Sequence, residues 1–402
     1  MPRQDGAVPL WFYAGAALGP FAGGVIGVVI PALRGEFAAD LGALSWAVPA
    51  YMIPFAGFQL VSGAISDATS RRLALGIGFL GFALTSALCG LAPSISWFLA
   101  GRFGQGSANA FTTAVLTAAL ADLVPRERLG RAIGVFSSVN VAGSFAAPMV
   151  GGLLASLDWR LIYGLVALLA AGLWLLYDRW LRRLPRRSNV VMPSPRQLAA
   201  SALDRRLLRL GGLALLANFA IGGSSYLWPT YLHDRWGLAL AEAGPIASAF
   251  GLAGAASAPA AGRWCDRRGP SFVALLAAAT GAIGGLALAV APSPLAFLAA
   301  LVVQGIAHGA IWTAVSSAVM FNVTDPAHRG TAASVNSTFK FAGTALAPAA
   351  YTPVYGLAPN GIFALAAASA IALAAAFAAQ GSIGPSTTTS WPGPTGSRRS
   401  PR

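Results

Sequence analysis

Two cationic residues inside long apolar stretches are the positions of this sequence with the clearest chemical potential. Arg102 and Lys340 each lie among mostly apolar residues, and Lys340 is the only lysine in the chain. A charge buried in such a stretch is expensive and marks a site for a proton, an ion or a polar ligand. The alternatives are structural. Arg102 could extend to the nearer end of its stretch, and Lys340 could bind backbone carbonyl groups or a distant acid.

Polar and aromatic residues accompany Lys340. Gln304, His308 and Trp312 recur every four residues, which places them on one face of a helix, and Asn336 lies one helical turn before Lys340. We expect these residues to face a cavity together, with His308 as a candidate proton carrier, although a buried histidine is more often a hydrogen-bonded part of the scaffold. Further candidates for a substrate site are Gln105, Asn140, Tyr51 and Trp228.

Acidic residues are missing from the centres of the apolar stretches. All 13 lie in polar connections or near the ends of the stretches. A cavity with Arg102, Lys340 and His308 but no carboxylate favours neutral or anionic ligands over lipophilic cations. The sequence contains no cluster of metal ligands, no catalytic constellation and no nucleotide-binding Gly–Lys loop. We therefore expect neither an enzyme nor a bound cofactor.

The composition indicates an integral membrane protein. Of 402 residues, 56% are hydrophobic and 10% are charged, whereas a soluble domain carries roughly 25% charged residues. The net charge is +14, but the arginines form short clusters between apolar stretches. This pattern favours contact with anionic lipid over nucleic acid. Two cysteines in unlike surroundings predict no disulfide.

Twelve apolar segments are long enough to cross a bilayer, which takes about 20 residues. They are predicted at 10–31, 44–66, 73–92, 97–122, 131–155, 160–181, 210–232, 243–264, 271–291, 295–320, 330–353 and 359–380. The first is read as a retained helix rather than a signal peptide. Most arginines fall on one side of the alternating segments, which predicts a protein of the cell (inner or plasma) membrane with both termini in the cytoplasm.

The sequence repeats itself at a distance close to half its length. Asp67 matches Asp266 and Gln105 matches Gln304 at a separation of 199, and segment 142–148 matches 342–348 at 200. The repeat predicts an N-terminal six-helix half (1–181), a cytoplasmic linker (182–209), a C-terminal six-helix half (210–380) and a disordered tail (381–402). Binding sites in proteins built from parallel repeats lie near the membrane midplane, between the repeats.

A charged corner follows the second predicted span and recurs after the eighth. Its members are Gly63, Asp67, Arg71 and Arg72, with Asp266 and Arg267 in the second copy. Gly63 permits close approach of a neighbouring helix. Asp67 could lie at the positive N-terminus of the eleventh helix, and Arg71 could reach Asp122. Such a cluster would hold the halves together on one side and act as a gate, unless the arginines serve only to set the topology.

Together these patterns resemble the major facilitator superfamily over residues 10–380, and within it the twelve-helix drug/proton antiporters. The corner resembles the motif Gly-x-x-x-Asp-x-x-Gly-Arg-Arg/Lys, with Ser70 in place of the second glycine. Arg102-Phe-Gly-Gln105-Gly106 resembles an Arg-x-x-Gln-Gly motif whose arginine takes part in proton coupling. The fifth span resembles the antiporter signature, with Ala147 where a glycine is usual, at Gly134, Gly143, Pro148, Gly151 and Gly152.

The resemblance implies an all-α integral membrane fold of twelve transmembrane helices in two six-helix pseudo-repeats. It also implies a proton-coupled secondary transporter that works by alternating access, and the antiporter signature favours efflux. Small residues in the fifth span are expected to allow close packing, and Pro148 a kink. We expect export of a small hydrophobic, neutral or anionic compound by a monomer in the lipid bilayer, without nucleic acid, with Lys340 changing protonation as substrate comes and goes. Import of an organic anion or metabolite, and a non-transporting membrane sensor, are the alternatives.

Overall fold

A computed structural model describes residues 8–182, 205–322 and 329–379. Within these ranges the chain forms twelve helical rods. In the first half they are α1 (Leu10–Ala14, Gly15–Gly24 and Ile26–Phe37), α2 (Leu41–Ser45 and Ala47–Ala68), α3 (Arg71–Gly90), α4 (Ile95–Leu123), α5 (Arg126–Ala155) and α6 (Arg160–Leu181). In the second half they are α7 (Arg205–Ala217, Asn218–Gly222, Ser225–Leu227 and Trp228–Trp236), α8 (Leu240–Arg268), α9 (Pro270–Ala289), α10 (Pro294–Asn322), α11 (Arg329–Leu357) and α12 (Gly361–Ala379).

Each predicted span corresponds to one of these rods, and the ends agree to within six residues. The observed helices are mostly longer because they continue into polar residues that hydropathy places outside the bilayer. The helix α7 begins at Arg205, five residues before its predicted span, so residues 205–209 of the predicted linker are helical. The rest of the linker and the predicted tail lie almost entirely outside the described residues.

Three of the twelve rods are less apolar than the others. In the described part of the chain, eight helices are long and apolar enough to cross a membrane, and nine if the two pieces of α1, bent by 45°, count as one span. The remaining rods, α4, α8 and α11, are 29 residues long each, so length is not what sets them apart. Their polar residues include Arg102 and Gln105 in α4 and Asn336 and Lys340 in α11. These helices pack against other helices, which gives Arg102 and Gln105 hydrogen-bond partners that lipid could not supply.

The two halves repeat each other in detail. The bounds of α3 and α9, and of α4 and α10, coincide when 199 is added to the residue number. The corner between the second and third helix of each half shows one difference. In the second half Gly269 turns the chain with a φ of 83°, which favours glycine. In the first half Ser70 takes its place in an extended conformation, and its hydroxyl accepts a hydrogen bond from the Leu73 amide at 3.1 Å. Ser70 is therefore the N-cap of α3.

The halves are joined at one end and separate at the other. We call the end that carries Arg71, Arg72, Arg267 and Arg268 the basic end, and the opposite end the far end. At the far end one apolar core contains residues of both halves, such as Val28 and Leu44 with Trp228 and Tyr231. Towards the basic end each half has a core of its own. The bundle is thus closed at the far end.

Contacts between the halves run along two helix pairs, α5 with α8 and α2 with α11, and along α1 with α7 at the far end. Arg34 and Asp234 approach to 3.9 Å across the far end. Near mid-height, the rings of Phe55 and Phe341 meet edge to face with centroids 4.7 Å apart. These contacts determine which surfaces near the centre of the bundle remain open.

Candidate functional site

A cavity in the second half contains the lone lysine. It is lined by α7, α10 and α11, and its polar lining residues are Asn218, His308, Trp312, Ser316, Asn336 and Lys340. Its empty space, including the part open to solvent, is about 290 Å³, but only about 10 Å³ admits the centre of a water molecule. The lining comes from one half, while Phe341, next to Lys340, packs on Phe55 of the other half. The cavity therefore borders the interface that the repeat predicts.

Aromatic rings surround the amine of Lys340. Its Nζ lies 2.6 Å from the ring centre of Trp312 and 4.9 Å from that of Phe341. A cation over an indole face is stabilised by the ring quadrupole. No carboxylate belongs to the lining that the structure describes. The alternative of a distant acid as partner thus finds no support among these residues.

Asn218 connects the three helices of the cavity. Its side-chain amide donates to the carbonyl oxygen of Lys340 at 3.1 Å and to the hydroxyl of Thr344, and its Oδ1 lies 3.5 Å from Nε2 of His308. It is the first residue of the π-helical turn Asn218–Gly222 of α7. A π turn inside an α-helix is rare and often marks a functional site. Asn218 thus couples the irregular backbone of α7 to Lys340 and His308.

Asn336 offers the cavity an unused acceptor. Its side chain is buried and lines the cavity, and its Oδ1 has no hydrogen-bond partner. Leaving such a group unpaired costs about 1–3 kcal/mol. A bound molecule with an N–H or O–H group would recover that free energy, so the cavity combines one cationic donor with one vacant acceptor.

The predicted polar stripe of α10 divides between two roles. His308 and Trp312 line the cavity, whereas Gln304 does not. The Gln304 amide donates to the carbonyl oxygen of Ile221 at 3.2 Å and supports the irregular turn of α7. Ser316, one further step of four residues along the same face, lines the cavity and was not predicted. The spacing of the stripe could have identified Ser316, and an asparagine within an apolar span could have identified Asn218.

Arg102 forms a separate buried centre in the first half. Its guanidinium donates to the carbonyl oxygens of Ala22 at 2.8 Å and Ala47 at 3.2 Å, and to Oε1 of Gln105 at 3.0 Å. It also stacks on Tyr51, with the guanidinium carbon 4.4 Å from the ring centre. The side chain has no exposed surface. The alternative in which Arg102 extends to the nearer interface is therefore wrong.

The neighbours of Arg102 include two residues predicted to bind substrate. Tyr51 donates its hydroxyl to the carbonyl oxygen of Gly19 at 3.0 Å, and the Gln105 amide donates to Oγ of Ser86 at 2.8 Å. Neither Tyr51 nor Gln105 lines the Lys340 cavity. Together with Arg102 they join α4 to α1, α2 and α3. Ser86 was not predicted, since a single serine in an apolar span carries little signal.

Two further predicted residues also lie outside the cavity. The Asn140 amide donates to the carbonyl oxygen of Ala16 at 3.1 Å and connects α5 to α1. The Trp228 indole donates to Oγ of Ser224 at 3.1 Å and packs on Phe250 within the far-end core. Of the eight residues predicted to bind substrate, the cavity contains Lys340, Asn336 and Trp312.

The residues of α5 that resemble the antiporter signature pack against two helices, α1 and α8. A Cβ on Gly143 would lie 2.4 Å from the carbonyl oxygen of Ala17, and one on Gly151 3.0 Å from Val28, so both glycines allow α1 to approach. A Cβ on Gly152 would lie 2.3 Å from the carbonyl oxygen of Leu240, across the boundary between the halves. At Gly134 nothing lies within 4 Å, so the predicted close packing is wrong there. The single helix α5 runs through Pro148 without a break.

The charged corner is only partly described. The side chains of Asp67 and Asp122 and the surroundings of Gly63 lie outside the described part of the structure. Arg71 donates to Oγ of Ser66 at 2.9 Å. Nε of Arg72 lies 2.6 Å from Asp178 in α6, which also pairs with Arg182. In the second copy, Asp266 and Arg267 are exposed at the end of α8. The predicted gate between Asp67 and α11 stays a prediction.

The repeat shows how the two buried centres differ. Asn109 corresponds to His308 at a separation of 199, and Asn140 corresponds to Lys340 at 200. Arg102 corresponds to Leu301. At these positions the second half carries titratable groups where the first half carries neutral amides, and a leucine stands where the first half has its buried arginine.

The chain is similar in sequence to curated resistance proteins. It is 29% identical over 310 residues to the multidrug resistance protein MdtG of Serratia proteamaculans, covering 73% of each chain. It is 35% identical over 144 residues to the puromycin resistance protein pur8 of Streptomyces alboniger, covering 34% of this chain. That match spans only 28% of the length of pur8.

The fold is shared with a solved transporter. The crystal structure of a mutant of the nucleoside transporter NupG superposes with a TM-score of 0.77 at 14% identity, covering 92% of this chain and 99% of NupG. The family model of the Major Facilitator Superfamily matches residues 12–348 and 210–397. The helical repeat and its membrane spans agree with this match. This multi-pass membrane protein therefore belongs to the Major Facilitator Superfamily.

Proposed function

We propose that the protein is an efflux transporter for small amphipathic compounds that are anionic or neutral. The observation that carries this proposal is the position of Lys340, whose amine lies over Trp312 in a cavity whose described lining holds no carboxylate. The relatives named for multidrug and puromycin resistance support export as the direction.

The cavity suggests how such a compound would be held. An anionic group would pair with Lys340, an apolar body would contact Trp312, Ile311 and Val315, and a donor would meet the vacant Oδ1 of Asn336. The narrow space requires the lining to move apart when the compound enters. A lipophilic cation would meet the like charge of Lys340 without a compensating acid, so we expect cations to be poor substrates.

The distribution of the cores supports alternating access. The far end is closed by a core shared between the halves, whereas the halves have separate cores towards the basic end. With the basic end at the cytoplasm of the cell membrane, as the arginine distribution predicts, this state would take up substrate from the cytoplasm. Rearrangement at α5–α8 and α2–α11 would then open the far end.

For coupling we propose a proton, with His308 and Arg102 as the residues involved. His308 lines the cavity beside Asn218, so its protonation would affect both the substrate site and the π-helical turn of α7. Arg102 contacts no substrate cavity among the described residues, so its part would be indirect. It would hold α4, α1 and α2 in the arrangement in which the proton is exchanged.

A substrate panel in cells that lack their own exporters tests the proposal. The panel contains matched anionic, neutral and cationic compounds, each measured with and without a protonophore. Lys340→Gln should raise the KM for the anion by about 30-fold or more, since loss of one partner of a buried charge pair costs at least about 2 kcal/mol. Lys340→Arg is the matched control because it keeps the charge.

Three outcomes would count against this assignment. Strong, gradient-dependent ethidium efflux that survives Lys340→Ala would refute the preference for anions and neutral compounds. Uptake of the panel compounds down an imposed gradient, without efflux, would instead support the importer alternative. Export of the anion that is equally lowered by Lys340→Gln and Lys340→Arg would show that shape, and not charge, is recognised.

A further inference from the structure

We propose that an anionic phospholipid from the leaflet at the basic end binds a groove between α8, α9 and α10. The groove has a volume of about 150 Å³ and lies apart from the Lys340 cavity, with which it shares no lining residue. Exposed apolar side chains mark its outer rim: Trp264 of α8, Leu276 of α9 and Ile306 of α10 are each more than 40% exposed. Its opening therefore faces the space that lipid chains occupy.

Two small residues of the groove stand where the first half has phenylalanines. Ser257 and Ala310 line it, and their counterparts in the first half, at a separation of 199, are Phe58 and Phe111. Those two rings lie 6.4 Å apart and occupy the equivalent position between α2 and α4. The same scaffold is thus filled by its own side chains in one half and left open in the other.

The shape of the groove fits a lipid chain. Ser257 and Trp264 lie seven residues apart on α8, which corresponds to about 10 Å along the helix axis. The groove therefore runs along the helices, in the direction of an acyl chain in a bilayer. Trp264 lies at its basic end, where a tryptophan commonly marks the boundary between lipid chains and headgroups.

Exposed cations flank that end of the groove. Arg263, Arg267 and Arg268 lie within one turn of Trp264, and the guanidinium of Arg268 lies 5.0 Å from the ring centre of Phe272 at the start of α9. With Asp266 in the same turn, three positive charges and one negative charge leave +2. Basic clusters at this depth attract anionic headgroups, which selects an anionic over a zwitterionic phospholipid.

The equivalent surface of the first half lacks this combination. The counterparts of Arg263, Arg267 and Arg268 are Ala64, Ala68 and Thr69. The arginines of the first-half corner come later, and Arg72 is paired with Asp178. In the second half the small residues of the groove and the arginines therefore occur together, whereas the corresponding positions of the first half carry neither. One lipid with its chain in the groove and its phosphate at the arginines accounts for both.

Photocrosslinking in nanodiscs tests the site on the full-length protein. The probe is phosphatidylglycerol with a diazirine on one acyl chain, present at low mole fraction in phosphatidylcholine, and labelled peptides are mapped by mass spectrometry. Labelling should concentrate on residues 257–264, 273–280 and 306–310. Excess unlabelled phosphatidylglycerol should suppress it, and excess phosphatidylcholine should not.

Two kinds of variant distinguish binding of the acyl chain from binding of the lipid headgroup. Ala310→Phe, which restores the first-half residue, should abolish labelling of the groove, whereas Leu168→Phe on the lipid-exposed face of α6 should leave it unchanged. Arg267→Gln should lower the preference for phosphatidylglycerol about fivefold, as expected for one basic residue near an anionic surface, and Arg182→Gln should not. If Ala310→Phe does not fold, Arg267→Gln still tests the lipid site, because it changes only an exposed side chain.

The proposal fails if labelling is spread evenly over lipid-facing helices, including α3, or if both lipids compete equally. Labelling that is displaced by an exported compound but not by phosphatidylglycerol would also overturn it, since the groove would then be a route for substrate. Because none of these readouts measures transport, the lipid site and the proposed function can fail independently.

Discussion

Gly152 offers the sharpest test of how the far end closes. It lies where α5 and α8 meet across the boundary between the halves, and a Cβ there would be 2.3 Å from the carbonyl oxygen of Leu240. Gly152→Ala should therefore weaken the far-end-closed state relative to the state in which α5 and α8 have moved apart.

The size of the effect follows from the contact. A carbon and a carbonyl oxygen normally stay about 3.3–3.6 Å apart, so the helices would have to separate by about 1 Å. Overpacking of this kind costs about 1–3 kcal/mol. Only interactions that differ between the two states shift their ratio, so this cost should lower the ratio of the far-end-closed state to the open state by about five- to 150-fold.

Spin-label distances between the halves measure that proportion. Leu157 and Leu357 are both highly exposed at the far end, one in each half, and cysteines there can carry labels. The native cysteines, Cys89 and Cys265, are buried, which limits their reaction with the reagent. Gly152→Ala should increase the population of long distances between the labels.

Gly134→Ala is the matched control. It makes the same chemical change in the same helix, at a position with nothing within 4 Å, and it brings the same gain in helix propensity. Equal distance distributions for both variants would refute the reasoning that the Gly152 contact stabilises the closed far end. A shift in Gly134→Ala alone would do so as well.

Three further predictions concern coupling, gating and the cavity. Arg102→Ala should abolish the dependence of transport on the proton gradient while counterflow persists, because it removes the contacts that tie α4 to α1 and α2; unchanged coupling in proteoliposomes would show that Arg102 is structural only. Asp67→Asn should slow turnover about tenfold at normal expression, if the corner stabilises one state by about 1–3 kcal/mol; normal transport would argue against a gate. Asn218→Ala should lower thermal stability by about 1–3 kcal/mol and reduce substrate affinity, because Lys340, Thr344 and His308 all lose a partner; thermal unfolding and binding assays check both, and a change in stability alone would remove Asn218 from the site.

The architecture could be predicted because its signals are local. The length of each apolar segment predicts a helix, and the separation of 199 residues predicts the repeat. Neither signal depends on contacts between helices. Part of the cavity lining could also be predicted, because Trp312, Asn336 and Lys340 are unusual residues for a membrane helix. Ser316 lay on the same face and could have been added by extending the spacing.

The places where prediction failed depend on contacts between distant helices. Gln304 has the right spacing to face the cavity, but the π turn of α7 presents the Ile221 carbonyl to it, and a backbone irregularity in another helix leaves no mark in α10. Tyr51 and Gln105 were predicted to bind substrate because they are polar. In the structure, Arg102 stacks on the ring of Tyr51 and donates a hydrogen bond to Gln105. Gly134 and Gly152 look alike in sequence, and only the position of α8 distinguishes them.

The two halves carry unlike buried centres. The cavity with Lys340 draws its described lining from α7, α10 and α11 alone, while Arg102 finds its partners within α1, α2 and α4. With the roles proposed above, substrate choice would rest on the second half, whereas coupling would draw on His308 in the second half and Arg102 in the first. A chimera that joins this second half to the first half of a relative would keep the substrate preference of this protein, and its coupling would depend on whether the relative supplies a counterpart of Arg102.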